Sequence, residues 1–147
     1  MQLSFPYGKE FVNIDIADER MQGVLVSNLH HYKAEKSPLA LVEEALANPI
    51  GSPKLSELAK GKKNVVLIAS DHTRPVPSKV IVPPMLAEIR KGNPDADITI
   101  LISTGCHRGT TRQELIDKFG PEIGETEKLV VHDCDDTENL VNIGTLP

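Results

Sequence analysis

Aromatic and sulfur-containing side chains are scarce in this sequence. It has no tryptophan, two tyrosines, three phenylalanines and two cysteines among its 147 residues. A chain of this length can bury an adequate core without cross-links, and Cys106 and Cys134 do not form a close pair in sequence. The shortage of cysteine therefore excludes a disulfide-stapled scaffold and fits a reducing, cytoplasmic compartment.

Long apolar runs, a basic start and clustered positive charge are also missing. No run is long enough to span a bilayer, and residues 1–10 lack the basic and apolar segments of a signal peptide. The net charge is −5, with acidic and basic residues mixed along the chain. These absences argue against a membrane or nucleic-acid partner and leave a small molecule as the predicted one.

Short runs of valine and isoleucine alternate with helix signals along the chain. Residues 1–5 and 10–16 flank a Pro-Tyr-Gly-Lys turn and predict an N-terminal β-hairpin, and Gly23–Ser27 predicts a further strand. Three continuous runs predict buried parallel strands: Asn64–Ala69, Asp97–Ile102 and Lys128–His132. The predicted fold class is α/β, with a Rossmann-like, mostly parallel sheet flanked by helices after the N-terminal hairpin.

Serine, proline and glycine mark the ends of the first two predicted helices. Ser-Pro at 37–38 predicts a helix to about residue 47, and Ser-Pro at 52–53 predicts another that ends at Gly61. A third helix is predicted at Ser78–Lys91. Pro83-Pro84 leaves open whether that helix begins at the prolines or has irregular first turns.

The last third of the chain predicts one more helix and one more strand. The helix runs from about Thr111 to Phe119, with Thr110 or Thr111 at capping-box spacing from a glutamine or glutamate. Glu138–Thr145 predicts the start of a strand near the last residue. We therefore expect the chain to be part of a longer protein.

Two polar loops follow predicted parallel strands, and ligands bind beyond the carboxyl ends of such strands. The first loop, Asp71–Pro77, places Asp71, His72, Thr73 and Arg74 in succession. Arg74 could clamp a carboxylate or phosphate with two parallel hydrogen bonds, and Asp71 could orient a cation, a ribose hydroxyl or His72. The alternative is a helix-capping loop with a surface ion pair.

The second loop, Thr104–Thr110, contains Gly105 and Gly109 and carries His107. Glycines permit close approach of a ligand, and the following helix start could hold an anion. Histidine has a reference pKa of about 6.5, so His107 is a candidate general base, the alternative being a histidine packed under the loop. Cys106 could be a thiol nucleophile, but a small buried cysteine that supports the loop is favoured.

Two further clusters carry potential metal ligands. His30-His31 lack a third ligand at a suitable spacing and are predicted to lie at the surface. The segment His132–Asp136 matches no zinc or EF-hand pattern, so an ordinary acidic loop is predicted there. The sequence therefore predicts no metal ligand within this chain.

The two loops together resemble those of the nickel-dependent lactate racemase family. SDHTRPVP at 70–77 and STGCHRGTT at 103–111 each follow a buried strand, in the same order as in that family. The resemblance implies that residues 1–147 are the N-terminal domain of a longer two-domain racemase, whose C-terminal domain is the missing partner. It also implies a 2-hydroxy acid as substrate and a nickel-pincer nucleotide (nickel pyridinium-3,5-bisthiocarboxylate mononucleotide) as cofactor.

The resemblance further implies a mechanism and the residues that perform it. A histidine takes the substrate hydroxyl proton while hydride moves from C2 to the cofactor and then returns to the other face. His107 matches the first catalytic histidine, and Asp71, His72, Thr73 and Arg74 match the segment that binds the cofactor and substrate. The second catalytic histidine, the cofactor lysine and the nickel ligand have no counterpart here, so the isolated chain is expected to be inactive.

Two other function classes remain open from the residues alone. A hydrolase or transferase could use Cys106 and His107 as nucleophile and base. A non-catalytic anion-binding domain would depend on Arg74 instead of His107.

Overall fold

The chain forms two compact units, Met1–Glu35 and Lys36–Pro147. The computed structural model describes residues 1–146. The first unit contains the predicted antiparallel hairpin of β1 (Gln2–Tyr7) and β2 (Glu10–Asp15). Gly8 has a φ of 63° in the connecting turn, a left-handed conformation that glycine adopts without steric cost.

The predicted strand at Gly23–Ser27 is wrong. The segment lies between two 3-10 turns, Asp18–Arg20 and Asn28–His31, and has no place in the two-stranded sheet of β1 and β2. The apolar side chains of this segment are exposed. A short apolar run forms a strand only where it can pair with a neighbouring strand and pack against another surface. His30 and His31 are exposed, as predicted.

The second unit has a parallel three-stranded sheet, and this confirms the predicted α/β class. Its elements follow one another as α1 (Pro38–Ala47), α2 (Leu55–Ala59), β3 (Asn64–Ser70), α3 (Ser78–Gly92), β4 (Asp97–Ser103), α4 (Arg112–Phe119), α5 (Pro121–Thr126) and β5 (Lys128–Val131). The strands pair in the order β3, β4, β5, with both pairs parallel. None of the helices within residues 1–146 has the length and apolar character needed to span a bilayer.

The helix starts follow the sequence signals in part. Ser37 caps α1 as predicted, because its hydroxyl accepts a hydrogen bond from the amide of Ala40. The second helix begins only at Leu55. The Ser52 hydroxyl donates to the carbonyl of Pro53, and the residue at the N-cap is Lys54, whose side chain makes no capping hydrogen bond.

Helix α3 begins at Ser78 and continues through Pro83 and Pro84, so neither alternative for its start is needed. Each proline removes one intrahelical hydrogen bond. Val82, Leu86 and Ile89 are buried along the same helix, and this packing offsets the loss.

Thr111, and not Thr110, caps α4. Its hydroxyl accepts from the amide of Glu114, whose carboxylate accepts in return from the amide of Thr111. Gly120 ends this helix as predicted, but Pro121 then begins α5, which the sequence reading missed. No strand forms at 138–145, because no neighbouring strand is offered to those residues within the described part of the chain.

The core lies between one face of the sheet and the helices. Ile98, Ile100 and Ile102 alternate along β4 and are at most 5% exposed. Buried side chains from α2, α3, α4 and α5 pack with them: Ala59, Val82, Leu86, Ile89, Leu115, Phe119 and Ile123. On the other face Val66 and Ile68 are exposed, so the prediction of a buried strand is wrong for this face of β3 within residues 1–146.

The sheet register brings the two polar loops together. Ser70 at the end of β3 pairs with Ser103 at the end of β4, so Asp71 and Thr104 leave neighbouring strands at the same level. Parallel strands end at one edge of a sheet. The prediction that both loops share that edge is confirmed.

Candidate functional site

The two loops meet in a hydrogen-bonded pair of Asp71 and His107. Asp71 Oδ2 lies 2.6 Å from His107 Nδ1. The Asp71 side chain is 2% exposed, whereas that of His107 is 45% exposed. The pair therefore combines a buried carboxylate with an imidazole that solvent or a ligand can reach.

The second oxygen of Asp71 is held by Thr73. Asp71 Oδ1 accepts hydrogen bonds from the Thr73 hydroxyl at 2.7 Å and from the Thr73 amide at 3.1 Å. The Thr73 hydroxyl and then His107 lower the pKa of Asp71 to about 2. Asp71 is thus ionised near neutral pH and can only accept, so the network assigns the proton of a neutral His107 to Nδ1.

This tautomer leaves Nε2 of His107 with a lone pair. Nε2 has no hydrogen-bond partner among residues 1–146. His107 lines an open cleft of about 510 Å³, whose other walls include Ser70, Arg74, Ser103 and Cys106. The arrangement can accept a proton from a small molecule bound in this cleft.

Arg74 offers an unpaired cation to the same cleft. Its guanidinium makes no hydrogen bond or salt bridge in the described part of the chain, while its backbone carbonyl accepts from Lys118 Nζ at 3.0 Å. Arg74 also lines a neighbouring cleft of about 560 Å³ together with Lys79 and Lys118. Burial lowers the pKa of Lys118, which is a sign of partial desolvation.

A second network ties the two loops to the start of α4. His72 Nδ1 lies 3.2 Å from the Thr110 hydroxyl, and its Nε2 lies 3.7 Å from Glu114 Oε1. Arg108 donates to both carboxylate oxygens of Glu114, at 2.6 and 2.9 Å, and holds the pKa of Glu114 well below its usual range. The start of α4 was predicted to hold an anion. The carboxylate of Glu114, in the first turn of α4, takes this position and accepts from the amide of Thr111.

The four residues predicted to bind a cofactor differ in whether their side chains already have partners within the chain. Asp71, His72 and Thr73 all have partners within the chain, whereas the Arg74 guanidinium has none among residues 1–146. Contact of any of the four with a cofactor remains a prediction. The geometry therefore suggests that the first three residues hold the loops in place. The Arg74 guanidinium remains available to a ligand in the cleft.

Cys106 is exposed, so the prediction of a buried cysteine that supports the loop is wrong. The backbone at Gly105 has a φ of 58°, and the turn displays Cys106 instead of burying it. The hydrogen bonds of His107 go to Asp71 and Thr73, and none goes to Cys106 in the residues described.

One hydrogen bond and one cluster of acidic and thiol groups lie near the end of β5. The Thr104 hydroxyl donates to the carbonyl of His132 at 2.7 Å and joins the second loop to β5. In the acidic loop that follows, side-chain ligand atoms of Asp133, Cys134 and Asp135 lie within 4.8 Å of one another.

The sequence reading missed how Asp71 is used. It paired Asp71 with a cation, a ribose or its neighbour His72, while the structure pairs it with His107, 36 residues away. The register of the parallel strands was the signal that could have found this pair. The Glu114–Arg108 pair was also missed, although Glu114 had already been recognised at capping-box spacing.

Fold and site together define a class of protein. It consists of α/β domains that present an aspartate–histidine pair and an unpaired arginine at the carboxyl edge of a parallel sheet. In such domains the sheet supplies a rigid platform, and the loops supply the chemistry.

Comparison with known proteins identifies the family within this class. The sequence profile described as "Lactate racemase N-terminal domain" matches residues 7–147. The chain therefore belongs to the lactate racemase N-terminal domain family.

Relatives named lactate racemase align with nearly the whole chain. It is 52% identical over 145 residues to a lactate racemase of Thermoanaerobacterium thermosaccharolyticum and 47% identical over 145 residues to one of Lactiplantibacillus plantarum. Each match covers 99% of this chain and 34% of the relative. The solved lactate racemase apoprotein from T. thermosaccharolyticum superposes with a TM-score of 0.83 at 50% identity, covering 100% of this chain and 34% of that one. The chain thus spans about a third of the length of these relatives.

Proposed function

We propose that this chain is the N-terminal domain of a longer, two-domain, cytoplasmic racemase that acts on lactate or a related 2-hydroxy acid. The observation that carries the proposal is the 2.6 Å contact between Asp71 and His107 at the rim of an open cleft. Relatives named lactate racemase, 47% and 52% identical over 99% of the chain, support the substrate class. In this proposal His107 is the general base for one enantiomer.

The proposed proton transfer uses Nε2 of His107. Nε2 takes the proton of the substrate hydroxyl, and the imidazolium that forms is stabilised by the ionised Asp71 at Nδ1. Asp71 also keeps the imidazole from rotating, so Nε2 stays directed at one position. The Arg74 guanidinium is placed to pair with the substrate carboxylate or with a phosphate of the cofactor, since its two parallel donors suit either anion.

The family resemblance implies a nickel-pincer nucleotide, and the residues present can be tested for their fit to it. An unpaired guanidinium beside two open clefts suits an anionic mononucleotide, and Arg74 would hold either its phosphate or the substrate carboxylate. When bound, the cofactor would supply a reversible hydride acceptor for C2 of the substrate. His107 carries only the hydroxyl proton, and the cleft walls of this chain orient the 2-hydroxy acid.

The rest of the site would come from the remaining two-thirds of a full-length racemase. The proposal places there the second histidine, the lysine that holds the cofactor and the nickel ligand. This chain alone, supplied with cofactor, is then expected to show no racemisation. Sustained turnover by residues 1–147 would contradict this division of the site.

The test follows racemisation of a single lactate enantiomer in D2O by the cofactor-loaded, full-length protein, beside its His107→Ala variant. The expected result is racemisation with protium kept at C2. The histidine variant should lose about 10²- to 10⁴-fold in kcat, the range for a general base.

Deuterium at C2 would instead mean proton abstraction at carbon, and the proposed hydride transfer would be wrong. Unchanged racemisation in His107→Ala would remove the role of this histidine. If lactate is inert, the same assay with other 2-hydroxy acids tests the substrate class, and failure of all of them would overturn it.

A further inference from the structure

The hydroxyl of Thr73 has only one partner at close hydrogen-bond distance. It lies 2.7 Å from Asp71 Oδ1, in the middle of the range for such bonds, whereas its distance to His107 Nδ1 is 3.4 Å. Since the carboxylate cannot donate, the hydroxyl proton goes to Asp71. The resemblance to racemases predicts a cofactor contact for this threonine, but its one proton is already used within the chain.

We propose that Thr73 is a positioning residue that acts on the base through Asp71: its hydroxyl orients the carboxylate so that Oδ2 faces His107 and Nε2 faces the cleft. This inference deepens the proposed function and rests on it. It assigns Thr73 a part in the proton transfer without contact to the substrate.

The geometry gives a reason for each contact. A carboxylate on a short side chain can rotate, and the Thr73 amide alone leaves that rotation weakly restrained. The hydroxyl adds a second donor to the same oxygen, so Oδ1 is held on the Thr73 side and Oδ2 is left for the imidazole. A fixed Oδ2 then selects the Nδ1–H tautomer of His107, which in turn frees Nε2.

Other charges near the pair do not select this tautomer. Arg108 is engaged by Glu114 with two hydrogen bonds, and Lys118 donates to a backbone carbonyl. Arg74 shares the cleft with His107 but makes no hydrogen bond to it. The orientation of the imidazole therefore depends on Asp71, and that of Asp71 on Thr73.

The test compares Thr73→Val, which keeps the shape and removes the hydroxyl, with Thr73→Ser, which keeps the hydroxyl. Thr126→Val is the matched control. Thr126 is the last residue of α5, away from the site, and its hydroxyl donates to the carbonyl of Glu122 in the same helix. The first readout is ¹⁵N NMR of histidine-labelled, cofactor-free, full-length protein at a pH where the imidazoles are neutral. His107→Gln assigns the signals.

The expected NMR result is a single Nδ1–H tautomer in the unmodified protein, in Thr73→Ser and in Thr126→Val. Thr73→Val should show a mixture of the two tautomers. In the loaded enzyme kcat should fall about tenfold in Thr73→Val and stay within about twofold in the other two, with KM unchanged within about twofold.

An unchanged tautomer of His107 in Thr73→Val overturns the inference. So does a fall in kcat of Thr73→Ser that equals the fall in Thr73→Val. An unchanged tautomer combined with a raised KM or weaker cofactor binding would make Thr73 a ligand contact instead. Because the NMR readout needs neither cofactor nor substrate, it still tests Thr73 if racemisation itself fails.

Discussion

The two loops at the carboxyl edge of the sheet supply unequal halves of one site. The loop after β3 contributes Asp71, whose side chain is 2% exposed and hydrogen-bonded through both oxygens. The loop after β4 contributes His107, whose side chain is 45% exposed and whose Nε2 has no partner within residues 1–146. One loop provides an anchor and the other a group that is free to react.

The two arginines of these loops also differ, but with the roles of the loops reversed. Arg108 is held by two hydrogen bonds to Glu114, whereas the Arg74 guanidinium has no partner in the described chain. A buried or paired charge fixes geometry, and an unpaired charge at a cleft is available to a ligand. Each loop therefore commits at least one ionisable side chain to contacts within the chain and leaves at least one available to a ligand.

Among the changes that leave His107 itself in place, the largest effect is expected from removing the carboxylate of Asp71. Asp71→Asn keeps the volume but replaces the charge with a neutral amide, which no longer favours the Nδ1–H tautomer of His107. In a full-length protein we expect kcat to fall on the order of 10²-fold or more, with a small change in KM. A loss smaller than threefold would show that the buried partner is dispensable.

The same variant should also change how stability depends on pH. The pKa of Asp71 is lowered to about 2 in the folded chain, whereas it is about 3.9 in an unfolded one. The carboxylate therefore stabilises the fold fully at pH values above about 3.9. That contribution is lost as the pH falls through about 2. Urea unfolding should therefore find the unmodified protein more stable than Asp71→Asn above pH 4, and the difference should shrink toward pH 2. A difference that grows on acidification would contradict this assignment.

Removing the free cation should have an intermediate effect of a different kind. Arg74→Lys keeps the charge but loses bidentate pairing, so we expect KM for the 2-hydroxy acid to rise about tenfold with kcat less affected. Arg108→Lys is the matched control, and it should change KM less than twofold while lowering the free energy of unfolding only slightly, because the Arg108 side chain of the Arg108–Glu114 pair is largely exposed. Equal effects of the two substitutions on KM would contradict the assignment of Arg74 to ligand binding and of Arg108 to structure.

The smallest effect is expected at the exposed cysteine. Cys106→Ser should change kcat and KM by less than about twofold, because Cys106 makes no hydrogen bond to His107 within the described residues. Iodoacetamide treatment of Cys106→Ser, which keeps only the free thiol of Cys134, shows how much of any inactivation of the unmodified protein depends on Cys106. Loss of activity in the serine variant would favour the thiol enzyme that the sequence left open.

Much of the site could be read from the sequence because it depends on neighbours in the chain. Asp71–Arg74 and His107 were identified from loops that follow apolar runs, and parallel pairing of β3 with β4 makes those loops converge. The partners of the side chains were mostly not predicted. Asp71 meets His107 and His72 meets Glu114, and such contacts depend on distances that no local pattern encodes.

The fold shows the same division. The continuous apolar runs and the caps at Ser37 and Thr111 predicted the α/β order, since both signals act within a few residues. The strand predicted at Gly23–Ser27 did not form, and α3 runs unbroken through two prolines. In both cases the outcome depended on whether another element offered a surface to pair or pack against.

The amino-acid sequence alone was enough to predict the class of fold, the two candidate loops and the family to which they belong. These follow from hydrophobic period, capping residues and short motifs, all of which act over a few positions. Three features became visible only in the folded chain: Asp71 is buried against His107, Arg108 is paired with Glu114, and the Arg74 guanidinium has no partner among residues 1–146. Burial and pairing between residues about 36 apart arise when strands align, because the balance of desolvation and hydrogen bonding is set in three dimensions.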